Sequence, residues 1–185
     1  MKKLPLIFAA AFCAVAFAAC GQDTNILKTE LGQFENRTGV VIIKGFGQIG
    51  SVAAGIAEIS VRCKETTDVS IRQKLYGLAI QIDGTTFPPD RIYVDEDEIN
   101  PLLSGINYLL KINYDVTALP SFEASYTTKA GLQVLVNSVR KDGGIEFSVQ
   151  GNYTPRIALT SIQMTQLYSL IQQARKNLET LKAGK

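Results

Sequence analysis

Beyond residue 39 apolar and polar residues alternate with a period of two over most of the chain, the mark of half-buried strands. In "AEISVRCK", Ala57, Ile59, Val61 and Cys63 fall on one face, and Glu58, Ser60, Arg62 and Lys64 on the other. "LYGLAIQID" repeats the pattern with Tyr76, Leu78, Ile80 and Ile82. It returns in "FEASYTTK" (Phe122, Ala124, Tyr126), "LQVLVNSV" (Leu132, Val134, Val136) and "IEFSVQ" (Ile145, Phe147, Val149). Asp142-Gly143 lies between the last two, and Asp-Gly between alternating segments is a strong hairpin signal. "RIALT" supplies a further short strand after Pro155.

The period changes to that of a helix in two places. In "VDEDEINPLLSGINYLLKI", Ile99, Leu102, Leu103, Ile106, Leu109 and Leu110 form one stripe. Its start is open. Asp95 with Glu98 makes a pair like a capping box, whereas Pro101 fits best at a first helical position after an Asn100 cap. The second helix opens on Thr160 and Gln163 in the S/T-x-x-E/Q arrangement. Its stripe runs through Leu167, Leu170, Ile171, Ala174, Leu178 and Leu181, with Arg175, Lys176 and Lys182 toward the negative end of its dipole.

The order β-β-β-α-β-β-β(-β)-α predicts an α+β fold, with antiparallel sheets and two helices packed against them. It also suggests a β-β-β-α unit used twice, over residues 40–112 and 121–181. The domain reading is a signal peptide over residues 1–19, a tether or irregular segment over 20–38, and a single α+β domain over 39–182.

The leader accounts for those boundaries. Lys2 and Lys3 precede an uncharged apolar run from Leu4 to Ala19. That run is shorter than the about 20 apolar residues of a membrane span and has the sections of a secretory signal peptide. "FAAC", Phe17 to Cys20, resembles the bacterial lipobox, in which small residues precede a cysteine that is lipidated and becomes N-terminal; Phe17 stands where an aliphatic residue is usual. The resemblance implies lipidation at Cys20 and a membrane-anchored product. The competing cut follows Ala18, through Ala16-Phe17-Ala18.

Removing Lys2 and Lys3 with the leader leaves 17 basic side chains against the chain's 17 acidic ones. A nucleic-acid binder carries a basic excess or stripe, so no nucleic-acid partner is expected. Of three cysteines only Cys63 lies in the body of the chain. It pairs with no other cysteine if Cys20 is lipidated; a Cys20–Cys63 bridge is conceivable otherwise. Cys63 is expected to be a small buried hydrophobe.

"VVIIKGFGQIGSVAAG", Val40 to Gly55, spells G-x-G-x-x-G through Gly45, Gly47 and Gly50. Such a run binds a dinucleotide when a helix follows and closes a βαβ unit. Here alternation resumes at Ala57, leaving too little chain for a crossover helix. The glycines are read instead as bends or bulges fitted to packing in a strand, and no cofactor is expected.

The chain has no histidine, which removes Ser-His-Asp triads, Cys-His dyads and His-ligated zinc. Ser138 to Lys141 spells S-x-x-K, and "TKAG" stands at Thr128 to Gly131. The penicillin-binding and class A β-lactamase families place that serine at a helix N-terminus, whereas Ser138 ends a strand. "DEDE", Asp95 to Glu98, could hold a hard cation but lacks the EF-hand spacing, and acids are expected in a first helical turn. Asn36 and Asn152 match N-x-[ST] and are read as loop residues.

The sequence therefore points to an exported cell-envelope protein, periplasmic or lipid-anchored. It is expected to be a non-enzymatic domain that contacts an envelope protein or ligand. The alternative is an envelope enzyme working with two carboxylates, for example on glycans. A single-strand nucleic-acid binder built from repeated sheet-plus-helix units, or a dinucleotide-binding protein, fits less well.

Overall fold

The long alternation from residue 42 to residue 84 folds as three consecutive antiparallel strands. They are β1 (Ile42–Ala54), β2 (Ala57–Asp68) and β3 (Gln73–Gly84) in a computed structural model that describes residues 25–139 and 144–184. A fourth strand, β4 (Asp90–Asp95), completes a sheet in the order β1-β2-β3-β4. After helix α2 (Glu96–Leu109) come β5 (Glu123–Thr127), β6 (Gln133–Val139), β7 (Gly144–Gln150) and β8 (Ile157–Leu159), a second sheet in the order β5-β6-β7-β8. Helix α3 (Ser161–Ala183) ends the fold. The expected α+β class with antiparallel sheets is what the structure has. The unit that recurs is β-β-β-β-α, one strand longer than the alternation suggested, with the same strand order in both halves.

β4 was hidden because it does not alternate: Asp90 and Ile92 through Asp95 are all buried. α2 begins after Asp95 despite Pro101, which lies inside it. Starting there buries Ile99 together with Leu102, Leu103, Ile106 and Leu109; an interior proline forfeits one backbone hydrogen bond, and the burial outweighs it. The Thr160–Gln163 capping box is present, with Gln163 N donating to Thr160 Oγ1 at 3.2 Å and Thr160 N to Gln163 Oε1 at 2.8 Å. β6 and β7 pair antiparallel as expected, but Asp142 and Gly143 lie outside the described residues.

One core serves both halves. The inner faces of the sheets contribute Ile59, Val61, Leu78, Ile80, Val134 and Val149, and between them lie Leu102 and Ile106 of α2 and Leu167 and Ile171 of α3. Each such side chain, fully buried, contributes about 1.5–3 kcal/mol.

Residues 20–38, expected to be irregular, instead include a 3-10 turn at Ile26–Lys28 and a short helix, α1 (Glu30–Glu35), which buries Leu31 and Phe34. α1 lies on the outer face of the first sheet, where Leu31 packs with Ala79 and Tyr93. Gly77 makes this approach possible. A Cβ there would collide with the Val94 carbonyl oxygen and with Leu31 Cδ1.

The G-x-G-x-x-G run lies wholly within β1 and is followed by a tight hairpin to β2, with Gly55 at φ 60°. A two-residue turn with glycine first matches the twist of the strands it joins. The pairing register shifts between Gln48 and Gly50, so the expected bulge is present. The packing explanation holds only for Gly50, where a Cβ would meet Leu170 of α3 at 2.7 Å. At Gly45 and Gly47 a Cβ would make only ordinary contacts, at 3.8 Å. Gly77→Ala is therefore expected to cost about 2 kcal/mol through overpacking. Gly47→Ala should change stability by no more than about 0.5 kcal/mol, in the stabilising direction if anything. Urea unfolding of the two variants checks this; equal losses would contradict it.

Candidate functional site

The outer face of the first sheet carries the side chains that alternation assigned to solvent, and α1 divides it into a covered and an open part. On the covered side Lys64 has a fully buried side chain, and its Nζ lies 2.5 Å from Glu35 Oε1. Glu35, itself almost fully buried, also pairs with Lys44 through Oε2 at 2.8 Å. It accepts from Thr66 Oγ1 at 3.0 Å and from the Tyr93 hydroxyl at 3.3 Å. The Lys64 ammonium sits 4.3 Å from the ring centroids of both Phe46 and Tyr93, where ring quadrupoles favour a cation. Cross-strand pairing produces the juxtaposition, since Phe46 is opposite Lys64 on β2 and Tyr93 is opposite Ala79 on β3.

The charges follow from this geometry. Burial alone would raise the Glu35 carboxyl, but Lys44 and Lys64 together outweigh it and hold the pKa below 4.5. Burial also dominates at Lys64 and depresses its pKa, with Glu35 opposing and Lys44 and Arg91 adding to the depression. The Tyr93 phenol is pushed up to about 12, chiefly by burial and then by Glu35, and so remains a donor.

The same helix is held at its other end. Asp95 accepts from Glu30 N at 2.8 Å and from Leu31 N at 3.1 Å, while Thr29 Oγ1 accepts from Gly32 N at 3.0 Å. Beyond α1, Arg37 stacks on Phe34 at 4.3 Å and pairs with Asp68 at 3.2 Å.

The open part of the face lies along β1, an edge strand. Ile43 through Gln48 are all exposed. Phe46 is 45% exposed, and Arg91 lies 5.9 Å from its ring on the side away from β1. Arg62 donates to Gln48 Oε1 at 2.9 Å, and Arg91 to Gln81 Oε1 at 3.1 Å. Neither arginine has a carboxylate partner among the described residues. Around Phe46, then, gather Lys44, Arg62, Lys64 and Arg91, of which Lys44 and Lys64 pair with Glu35. A locally cationic and aromatic surface sits on a chain whose 19 basic and 17 acidic side chains nearly balance.

The other motifs resolve into structural roles. Cys63 Sγ donates to Ala174 O at 3.3 Å, and burial pushes its thiol up to about 11, which keeps it protonated and inert. Cys20 lies outside the described residues. Asp95, Glu96 and Asp97 line an open cleft of about 570 Å³ with Glu30, Lys74 and Lys182. Asp95 holds α1, Glu96 pairs with Lys182 at 2.5 Å, and Asp97 with Lys129 at 3.0 Å. Glu98 points elsewhere: its Oε1 accepts from Lys129 N at 2.7 Å, and burial raises its pKa. Among the described residues no group of three or more acids or cysteines is placed to hold a metal ion. Ser138 exchanges hydrogen bonds with the Phe122 backbone, and Lys141 lies outside the described residues. Asn36 caps the end of α1, and Asn152 Nδ2 donates to Ala130 O.

Glu35 and Lys64 were not singled out from the sequence. Lys64 stood on the polar side of its strand, and the helix that covers it lay in a stretch read as irregular. The available signal was "TELGQF", in which a Thr29 cap precedes Leu31 and Phe34 three residues apart. Comparison of the chain with known family models, curated proteins and solved structures finds no match.

Glu35→Gln leaves a buried ammonium without its counter-charge and is expected to cost about 3–5 kcal/mol. The Glu35 pKa is lower folded than unfolded, so its contribution is complete above about pH 4.5 and is lost as pH falls through the folded value. Stability of the wild type, followed by urea unfolding from pH 7 to pH 3, should carry a component that the variant lacks. Parallel profiles would refute the role given to this pair.

Proposed function

We propose that the chain is an exported bacterial envelope protein, anchored through lipid on Cys20, whose α+β domain acts by binding a partner and not by catalysis. The observation that carries the binding reading is the asymmetry of the outer sheet face. Beneath α1 the ammonium groups of Lys44 and Lys64 are met by Glu35, whereas the open part of the face keeps Arg62 and Arg91 without carboxylate partners among the described residues, beside a half-exposed Phe46. A cation-rich aromatic surface at a free sheet edge is suited to recognition. Export and anchoring rest on the leader, with its lysine pair, apolar run and terminal "FAAC". No helix among the described residues is long and apolar enough to cross a membrane; in this reading the acyl chains on Cys20 would supply the attachment.

The carboxylate-enzyme alternative has one observation in its favour, the acid-lined cleft beside α1. Glycoside hydrolysis asks for two opposed carboxyls, one of them kept protonated. In this cleft Asp95, Glu96 and Asp97 are engaged by backbone amides or lysines, which favours a structural role.

Expressed in a Gram-negative host with its full leader, the protein should incorporate labelled palmitate and sediment with membranes. Cys20→Ala should abolish the label and release the protein in soluble form. Label that persists in Cys20→Ala, or a wild type that stays in the cytosol, would overturn the anchoring.

A further inference from the structure

Edge strand β1 is built to accept one more strand. Val41 O accepts from Val69 N at 3.1 Å, so Val41 turns its carbonyl toward β2. Antiparallel pairing alternates, and from this register Val41, Ile43, Gly45 and Gly47 bond to β2. Ile42, Lys44, Phe46 and Gln48 therefore turn their N–H and C=O groups outward. Farther along β1 the edge is closed, where Gln163 Nε2 donates to Ala53 O at 2.7 Å. The open length is thus about seven residues, Ile42 to Gln48, enough for an added strand of ordinary length.

The two sides of that edge differ in chemistry. On the inner side Gly47, Ile49 and Cys63 form a shallow groove of about 270 Å³ with Asn177, Thr180 and Leu181 from the end of α3. Leu181 and Ile43 are more than half exposed there. Gly45 and Gly47 face the same side, and nothing in the chain's own packing calls for glycine at either position. Their missing side chains leave room beside the edge. On the outer side lie Lys44 and Phe46 of β1 and, on the neighbouring β2, Arg62 opposite Gln48. An incoming strand presents alternate residues to the two sides: those on the inner side meet the apolar groove, and those on the outer side meet Lys44, which shares Glu35 with Lys64, and Arg62, which has no carboxylate partner among the described residues.

We propose that β1 binds an extended segment of a partner protein, added as a fifth strand of the first sheet, in which apolar and acidic residues alternate. This rests on the binding reading above and assigns its site and the chemistry of its ligand. Backbone pairing gives the affinity, and the two unlike sides give the register. Charge also argues against a second copy as the occupant, because β1 against β1 would set two cationic surfaces side by side. A single-stranded nucleic acid would exploit Phe46 and the cations but would leave the outward N–H and C=O row unpaired.

The test uses the mature protein and a fluorescein-labelled seven-residue peptide of alternating valine and glutamate, followed by anisotropy. Saturable binding is expected. It should weaken by about tenfold or more for the valine–lysine peptide, and for a valine–glutamate peptide N-methylated at alternate amides, which cannot pair with a strand edge. Gln48→Pro removes one outward N–H at an edge position that tolerates proline, and should weaken binding by about tenfold. Arg62→Glu should abolish the preference for glutamate. Both variants are checked for native unfolding behaviour first.

The proposal is overturned by equal binding of the N-methylated and parent peptides, by an unaffected Gln48→Pro, or by tighter binding of oligothymidylate. Concentration-dependent dimerisation in sedimentation that Gln48→Pro abolishes would instead assign the edge to a second copy and equally overturn it. Envelope export and Cys20 labelling are read out separately, so failure here leaves that part of the proposed function standing.

Discussion

The Glu35–Lys64 ion pair is the constraint around which the first half of the molecule is organised. A buried ammonium on the outer face of a sheet is costly unless a carboxylate and aromatic faces surround it. Only a covering element can bring them. α1 has just six residues, too few to be stable by itself, and it is held to the sheet at both ends. Asp95 and Thr29 satisfy its first amides; Glu35 closes the other end over Lys64, Lys44, Thr66 and Tyr93. Gly77 supplies the clearance beneath it.

What α1 covers decides what stays open. The pair neutralises Lys64 and engages Lys44, but it leaves Arg62 and Arg91 on the same face without a carboxylate partner among the described residues and Phe46 half exposed. On the opposite face α3 crosses β1 and β2, fitting against Gly50, and its last turns reach Leu181 beside Gly47. The edge between these two coverings is the stretch where Gly45 and Gly47 occur. The stability of α1 and the accessibility of β1 are thus two consequences of one arrangement, because a helix displaced from Lys64 would leave its ammonium unpaired and free the Phe46 side of the sheet.

Much of this was legible in the residues. The period-two segments from Ala57 to Ile82 and from Leu132 to Val149 mark strands because one face of each enters the core shared by the two halves. The Thr160–Gln163 box marks the start of α3 because its hydrogen bonds are local. The misses share a cause. β4 is buried on both faces, so "RIYV" shows no alternation. α1 is too short for its apolar pair, Leu31 and Phe34, to read as a periodic stripe. Lys64 reads as solvent-facing because the residue that neutralises it lies far away in sequence, in the helix that was missed. G-x-G-x-x-G was correctly separated from a phosphate-binding turn by the strand that follows it. The roles of its glycines nevertheless differ, and only the three-dimensional packing separates Gly50, which meets Leu170, from Gly45 and Gly47, which meet nothing close.

The central claim is that β1 is a strand fixed by its pairing with β2 and left with one uncovered edge. Residue-resolved amide hydrogen exchange on the protein tests it most directly. Gly45 and Gly47, bonded to β2, should exchange slowly, while Lys44, Phe46 and Gln48 between them exchange near the unprotected rate. Uniform protection from Ile42 to Gln48 would show the edge already covered, uniform rapid exchange would show the strand unfixed, and either result would contradict the account.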